Sequence, residues 1–181
     1  MSTKQLLVLL DADVIIELHK VGAWDGVLTA YNVEVSEIIA RQEVQFYYDS
    51  TGKRIATNLK ADEKAGRIQI FSATAVEISD TLDIFDQKMR NGLHVGEIEA
   101  ITILRTSNES RDLHFCSGDK KACEAIGLLG LSEYGLSLEM LLRRVGLTKP
   151  IRSHFSEKRF RAIIQKASAD RIIGTGLSKK R

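Results

Sequence analysis

Leu6-Leu7-Val8-Leu9-Leu10, followed at once by Asp11-Ala12-Asp13, is the segment that decides the fold predicted for this chain. Five consecutive apolar residues are typical of a short strand that is buried on both faces, as in a parallel sheet. A similar arrangement returns much later, where Leu113-His114-Phe115-Cys116 leads into Ser117-Gly118-Asp119. Short strands from distant parts of the chain, each followed by an acidic residue, predict an α/β fold with a parallel sheet sandwiched between helices.

The acidic residues are expected to collect at one edge of this sheet, because ligands of open α/β sheets bind beyond the carboxyl ends of the strands. Asp11 and Asp119 follow predicted strands, and His94-Val95-Gly96 leads into Glu97-Ile98-Glu99 at the start of an apolar-periodic segment. Carboxylates gathered in one place repel one another unless a hard cation neutralises them. The pattern therefore predicts a site for Mg²⁺ or Mn²⁺.

The rest of the chain alternates between helical and strand patterns. Helices are predicted over residues 14–31 with a break near Gly22, and over 36–46, 59–65, 73–89, 97–104, 120–126 and 136–145; strands are predicted over 33–35 and 68–71. The turn-rich pentad Asp49-Ser50-Thr51-Gly52-Lys53 predicts a β-hairpin at about residues 45–57, inserted on the main sheet. Pro150, the only proline, separates a predicted domain of residues 1–149 from an extension of residues 150–181.

Composition sets the broad class of protein. The chain has 181 residues, 44% hydrophobic and 28% charged, which favours one soluble globular domain with an appendage. No apolar run reaches the roughly 18 residues of a membrane span, and the first residues do not resemble a signal peptide. Two cysteines exclude a disulfide framework, so we expect a cytoplasmic protein. The four histidines lack zinc-ligand spacing, and no phosphate-binding P-loop motif is present.

The net charge of +2 hides a strong asymmetry along the chain. Residues 143–181 carry twelve Lys or Arg against two acidic residues, whereas residues 1–142 carry a net charge of −8. A basic extension on an acidic body is typical of nucleic-acid binding, and Arg159, Arg161 and Lys166 are the predicted contacts. The alternative is that the extension docks on the acidic body of the same or another subunit, which would make the protein a homo-oligomer.

Each aspartate of the predicted site has a structural alternative. Asp11 and Asp119 both come where a strand ends and a helix begins, so each could be a helix N-cap as well as a metal ligand. We predict that both bind metal. Asp13 is interpreted as a cap or a supporting group rather than a ligand.

The glutamates are separated by helical geometry. Glu97 and Glu99 are two residues apart, so on a helix they point about 200° from each other. Glu97 lies on the stripe of Ile101 and Leu104, where an unpaired carboxylate would be costly, so it is the better ligand, and Glu99 is the second choice. Glu43 lies on the same inward face of its predicted helix as Ile39 and Ala40, so it is a further candidate ligand. Glu37 is the alternative candidate if Glu43 does not reach the site.

Three of these motifs together resemble the PIN-domain ribonucleases. Leu9 to Ile16 resembles the opening strand of that family, with an apolar run, an Asp, a small residue and further apolar ones. Gly96-Glu97-Ile98-Glu99-Ala100-Ile101 resembles the Gly-Glu-x-Glu-Ala motif of some branches, and Phe115 to Asp119 resembles a late strand that ends in Ser/Thr-x-Asp. The motifs occur in the order of the family over about residues 5–146.

The resemblance implies a metal-dependent endoribonuclease that hydrolyses the phosphodiester bonds of RNA and leaves a 3′-hydroxyl and a 5′-phosphate. Carried onto this chain, the catalytic acids would be Asp11, Glu43, Glu97 and Asp119, and Ser117 would match the supporting hydroxyl. Many members are toxins, so the resemblance also suggests an antitoxin partner. The hairpin and the basic extension lie outside the core pattern of the family, and Glu43 falls one residue later than expected after Ser36.

Two other functions fit parts of the pattern. A PIN-type domain that does not cleave would serve as a module that binds nucleic acid or protein. Asp11-x-Asp13 after a strand also suits a phosphatase with an aspartyl nucleophile. Such enzymes usually have a Thr or Gly shortly after the second Asp, and Val14-Ile15-Ile16 does not supply it.

Overall fold

A five-stranded parallel sheet forms the centre of the protein. The computed structural model describes residues 6–179, except for the side chains of Asn108 and Glu109. The sheet has the strand order β5-β2-β1-β6-β7, and each neighbouring pair is parallel. Its strands are β1 (Leu7–Leu10), β2 (Asn32–Ser36), β5 (Ile68–Phe71), β6 (Leu113–Cys116) and β7 (Gly135–Leu136).

Helices flank this sheet, and the prediction of an α/β fold with a parallel sheet between helices is confirmed. The described helices are α1 (Ala12–Lys20), α2 (Trp24–Ala30), α3 (Leu59–Lys64), α4 (Ala75–Leu82), α5 (Gln87–Arg90), α6 (Val95–Arg111), α7 (Lys120–Leu128), α8 (Leu138–Arg144) and α9 (Glu157–Ile173). Single 3₁₀ turns cover Ser132–Tyr134 and Ser153–Phe155.

Strand β1 is the middle strand, and its apolar residues explain that position. Val8, Leu9 and Leu10 have no exposed surface, since neighbours cover both faces and both edges of the strand. β1 pairs in register with β6, and Leu10 lies opposite Cys116. The residues that follow these two strands are therefore brought side by side at the carboxyl edge of the sheet.

Side-chain caps start three of the helices that leave this edge. Asp11 caps α1, Asp119 caps α7, and the Ser137 hydroxyl accepts from the Met140 N–H at the start of α8. Such caps satisfy backbone N–H groups that have no partner within the helix. The acidic residues of the carboxyl edge are thus held by the same bonds that start the helices.

Several helix boundaries differ from the sequence prediction. Helix α6 continues to Arg111, seven residues past its predicted end, and residue 136, where a helix is predicted to begin, belongs to strand β7. The helix predicted to reach Phe46 changes to π-helical bonding over Ile39–Glu43, and strand β3 (Phe46–Tyr48) follows it. The single helix predicted over residues 73–89 is two helices, α4 and α5. The break has a tertiary cause: Phe85 is fully buried and forms a β-bridge with Leu177, and the Asp86 N–H donates to the Gly176 carbonyl.

Residues 46–56 form a separate antiparallel pair, in which β3 lies beside β4 (Arg54–Ala56). At the other end of the chain, α9 packs closely against α7. A Cβ atom on Gly127 would lie 2.5 Å from the Ala167 Cβ, so the two helices approach closely because Gly127 has no side chain. The boundary of the predicted extension at residue 150 stays a prediction.

None of the described helices combines the length and the apolar character that a membrane span requires.

Candidate metal centre at the carboxyl edge of the sheet

Asp11 and Ser117 meet where β1 and β6 end. The Asp11 N–H donates to the Cys116 carbonyl over 3.0 Å, which continues the strand pairing by one residue. The Ser117 hydroxyl then donates to Asp11 Oδ2 over 2.5 Å, while Asp11 Oδ1 accepts from the Ala12 N–H over 2.8 Å. Both side chains are almost completely buried. The carboxylate of Asp11 is therefore fixed in orientation below the edge of the sheet.

Asp119 is joined to the same hydroxyl. Its backbone N–H donates to Ser117 Oγ over 3.0 Å, and its Oδ1 accepts from the N–H groups of Lys121 and Ala122. The second oxygen, Oδ2, has no hydrogen bond among the described residues. Asp119 therefore both caps α7 and keeps one oxygen available, so its two predicted roles are compatible.

Asp13 and Glu97 complete the group. Asp13 lies in the first turn of α1, and its Oδ1 is buried without a hydrogen-bond partner among the described residues. Glu97 lies in the first turn of α6, where its Oε2 accepts from the His94 N–H over 2.9 Å. We call Asp11, Asp13, Glu97 and Asp119 the acid cluster.

Burial and mutual repulsion raise the pKa of three of these carboxyl groups. The pKa of Asp11 rises to about 8, mainly because of burial and then because of the charges of Asp13 and Asp119, despite its hydrogen bonds from Ser117 and Ala12. The pKa of Glu97 rises to about 7 for the same reasons, with Asp11 and Asp119 as the charges. The pKa of Asp13 rises to about 6, mainly through burial.

None of the four acids has a salt-bridge partner among the described residues. Buried carboxylates without a counter-charge are costly. The acid cluster therefore has the electrostatic character of a site that accepts a cation.

The donor set fits a hard divalent ion, because all available ligands are carboxylate oxygens and the buried Asp13 Oδ1 has no protein partner. Within residues 6–179, no three of the acidic, histidine or cysteine side chains already converge as a metal-ligand group. The Ser117 hydroxyl nevertheless joins Asp11 to Asp119, and Asp13 Oδ2 lies against Gly118 between Ser117 and Asp119.

The other two predicted glutamates each bind a backbone N–H group near the acid cluster. Glu43 is exposed, and its Oε1 accepts a hydrogen bond from the Gly96 N–H over 3.1 Å. Gly96 lies at the start of α6, one residue before Glu97. Glu99 is buried, and its Oε2 accepts from the Ile38 N–H over 2.8 Å. Glu43 thus lies at the rim of the site, and Glu99 holds the backbone that follows β2. Glu37, the substitute for Glu43, is exposed.

The predicted nucleic-acid contacts lie on α9, and they differ from one another. Arg161 pairs with Glu157 over 2.6 Å, and Lys166 pairs with Asp170 over 2.5 Å. The guanidinium of Arg159 is exposed and has neither an ion pair nor a hydrogen bond within the described part of the chain.

Sequence reasoning missed the contribution of residues 152–155 to this edge. Phe155 is fully buried against Gly118, and Arg152 pairs with the buried Glu17 over 2.8 Å. A partial signal was present, since Glu17 lies one helical turn after Asp13 and next to the apolar Leu18. Nothing local indicated its partner, because 135 residues separate Glu17 from Arg152.

No protein-family model, no curated protein and no solved structure matches this chain.

Proposed function

We propose that the protein is a divalent-metal-dependent endoribonuclease of the PIN type. The observation that carries this proposal is the acid cluster, in which four carboxylates from α1, α6 and α7 lie at the carboxyl edge of a parallel sheet without a basic partner. A parallel sheet with strand order β5-β2-β1-β6-β7 between helices is consistent with such a domain.

Asp11, Asp13, Glu97 and Asp119 are the residues that would hold the metal. A divalent ion bound by these oxygens supplies Lewis-acid stabilisation of the negative charge that develops on a phosphodiester during hydrolysis. The positive charge of the ion would also offset the mutual repulsion among the four acids, which would stabilise the metal-bound protein.

The residues of this chain orient the ligands and exclude water. The Ser117 hydroxyl holds Asp11 Oδ2 and accepts the Asp119 N–H, so one side chain fixes the separation of two acids. The backbone N–H groups at the start of α7 hold Asp119 Oδ1, so Oδ2 is the oxygen that would bind the metal. Burial of Asp11 and Ser117 keeps bulk water from competing for these oxygens.

RNA as the substrate, a toxin role and an antitoxin partner follow from the resemblance alone and are part of the proposal. A homo-oligomeric state and a cytoplasmic location are likewise predictions.

The direct experiment is incubation of the purified protein with end-labelled single-stranded RNA in Mn²⁺ and in EDTA. We expect cleavage in Mn²⁺, none in EDTA, and products that carry a 3′-hydroxyl and a 5′-phosphate. para-Nitrophenyl phosphate is the parallel substrate, because an aspartyl phosphatase would hydrolyse it and leave the RNA intact. Cleavage that persists in EDTA would contradict the metal mechanism, and RNA binding without any cleavage would indicate the non-cleaving module.

A further inference from the structure

The short segment before α9 lies directly over the loop of the acid cluster. A Cβ atom on Gly118 would lie 2.4 Å from two ring carbons of Phe155 and 2.8 Å from Asp13 Oδ2. The Phe155 ring and the Asp13 carboxylate therefore both lie in the space where a side chain at position 118 would be, between Ser117 and Asp119. Only glycine leaves room for this arrangement.

This segment is anchored at its start by Glu17 and in its middle by Phe155. The Arg152 N–H and Nε donate to the two oxygens of buried Glu17 over 3.2 and 2.8 Å. At the other end, the Ser156 hydroxyl accepts from the Arg159 N–H and caps α9. The fully buried Phe155 side chain fixes the middle of the segment in the core. The position of residues 152–159 relative to the acids is therefore set by core packing.

The segment also brings the His154 ring to the edge of the acid cluster. This ring packs on Phe155 with 4.1 Å between ring centres. Burial, and then the charges of Arg152 and Arg159, lower the pKa of His154, so the imidazole is suited to donate an N–H rather than to supply a positive charge.

Arg159 lies in the first turn of α9, which begins just after Phe155. The Ser156 hydroxyl caps this turn by accepting from the Arg159 N–H, and Phe155 packs on Gly118 in the loop that follows β6. Arg161 and Lys166, the other two predicted nucleic-acid contacts, each form an ion pair on the same helix. Of the three, Arg159 alone has no ion pair among the described residues, so its guanidinium is available to a ligand.

We propose that Arg159 and His154 form a phosphate-binding edge that holds a phosphodiester of single-stranded nucleic acid beside the acid cluster. The proposal deepens the nuclease function and rests on it. An acidic site repels the phosphate backbone of its own substrate, so a neighbouring cation is needed to bind that backbone. A guanidinium is suited to this task because its planar N–H groups bind two phosphate oxygens at once.

Arg159→Gln tests the proposal, and Lys158→Gln is the matched control. Lys158 is exposed and lies on the outward face of the same helix, so both changes remove one positive charge from α9. Two measurements are made on each variant: binding of a fluorescent single-stranded RNA in EDTA at two salt concentrations, and the kinetics of RNA cleavage in Mn²⁺.

We expect Arg159→Gln to weaken binding in EDTA about 10-fold and to reduce the slope of log affinity against log salt by about 1, since one phosphate contact is lost. KM should rise with little change in kcat, because the residue binds the substrate away from the reacting atoms. His154→Gln should raise KM by a smaller factor. Lys158→Gln should match the wild type in affinity, in salt slope and in KM. Unchanged melting temperatures of the variants would exclude a purely structural effect.

Equal binding and equal KM for Arg159→Gln and Lys158→Gln would overturn the phosphate-binding edge while leaving the nuclease intact. Absence of cleavage by the wild type in Mn²⁺ would instead remove the nuclease function. In that case, loss of RNA binding in Arg159→Gln alone would still support the edge.

Discussion

Buried acidic residues occur in this protein in two different settings. Glu17 and Glu34 are almost fully buried, and each is paired with an arginine, Arg152 and Arg111 respectively. The acid cluster is buried to a similar degree at Asp11 and Glu97, yet it has no basic partner among the described residues. The two settings differ in charge compensation rather than in burial.

Under the proposed function, this difference separates structural from functional carboxylates. A paired carboxylate joins distant segments, as Glu17 joins α1 to the segment before α9. An unpaired carboxylate raises its pKa and lowers the stability of the fold, unless a ligand supplies the missing positive charge.

The largest expected effect is on catalysis. Asp11→Asn and Asp119→Asn each remove one charge at nearly constant shape, so each should reduce Mn²⁺-dependent RNA cleavage by at least about 100-fold while the protein stays folded. Glu34→Gln, the matched change of a paired acid, should leave the cleavage rate per folded molecule unchanged. Cleavage rates and circular dichroism spectra of the three variants are the measurements. Wild-type rates for both aspartate variants would show that the site is assigned incorrectly.

The second effect concerns pH and stability. Asp11, Glu97 and Asp13 have folded-state pKa values of about 8, 7 and 6, whereas in an unfolded chain such groups titrate near pH 4. Between these values the folded protein binds more protons than the unfolded chain, so the free energy of unfolding falls as the pH rises. We therefore expect the free energy of unfolding of the metal-free protein to fall steadily between about pH 5.5 and about pH 8.5.

Thermal unfolding in EDTA at several pH values measures this loss. Saturating Mn²⁺ should remove most of it, and Asp11→Asn should have a flatter profile than the wild type. A melting temperature that rises with pH in EDTA would contradict the prediction.

The third effect concerns the stability that a paired acid contributes to the fold. Glu34→Gln removes the partner of Arg111, so it should lower the free energy of unfolding by about 2 kcal/mol, less than for a fully buried pair because 27% of the Arg111 side chain is exposed. Glu133→Gln, at an exposed position, should change it by less than about 0.5 kcal/mol. Chemical denaturation of both variants decides the point. If both are equally stable, the Glu34 pair contributes nothing measurable.

The smallest effect separates two glutamates within α6. Glu97→Gln should weaken Mn²⁺ binding about 10-fold, because it removes a charge from the acid cluster. Glu99→Gln should bind Mn²⁺ like the wild type and lose about 1 kcal/mol of stability, since Glu99 holds the Ile38 N–H. Titration calorimetry and thermal unfolding distinguish the two. Equal losses of Mn²⁺ affinity would mean that both carboxylates reach the ion.

The basic extension contributes to the core as well as to the surface charge. Phe155 and Ala167 are buried in the core, so deletion after Pro150 would remove packing as well as charge. Surface substitutions on α9 are therefore the better test of nucleic-acid binding.

By itself, the sequence determined the kind of fold and the edge at which the acids lie. Leu7–Leu10 and Leu113–Cys116 are buried strands in the structure, and Asp11 and Ser117 follow them at once, because strand burial and helix capping depend on neighbouring residues. The opposite faces predicted for Glu97 and Glu99 also follow from local geometry. Their carboxylates bind different backbone groups, at His94 and Ile38.

Only the tertiary structure decided which acids meet and what covers them. The break between α4 and α5 depends on Leu177, the anchor of Arg152 depends on Glu17, and the cover of Gly118 depends on Phe155. Each of these contacts joins residues far apart in the chain. Their geometry is set by packing of the whole core, which no local pattern of residues encodes.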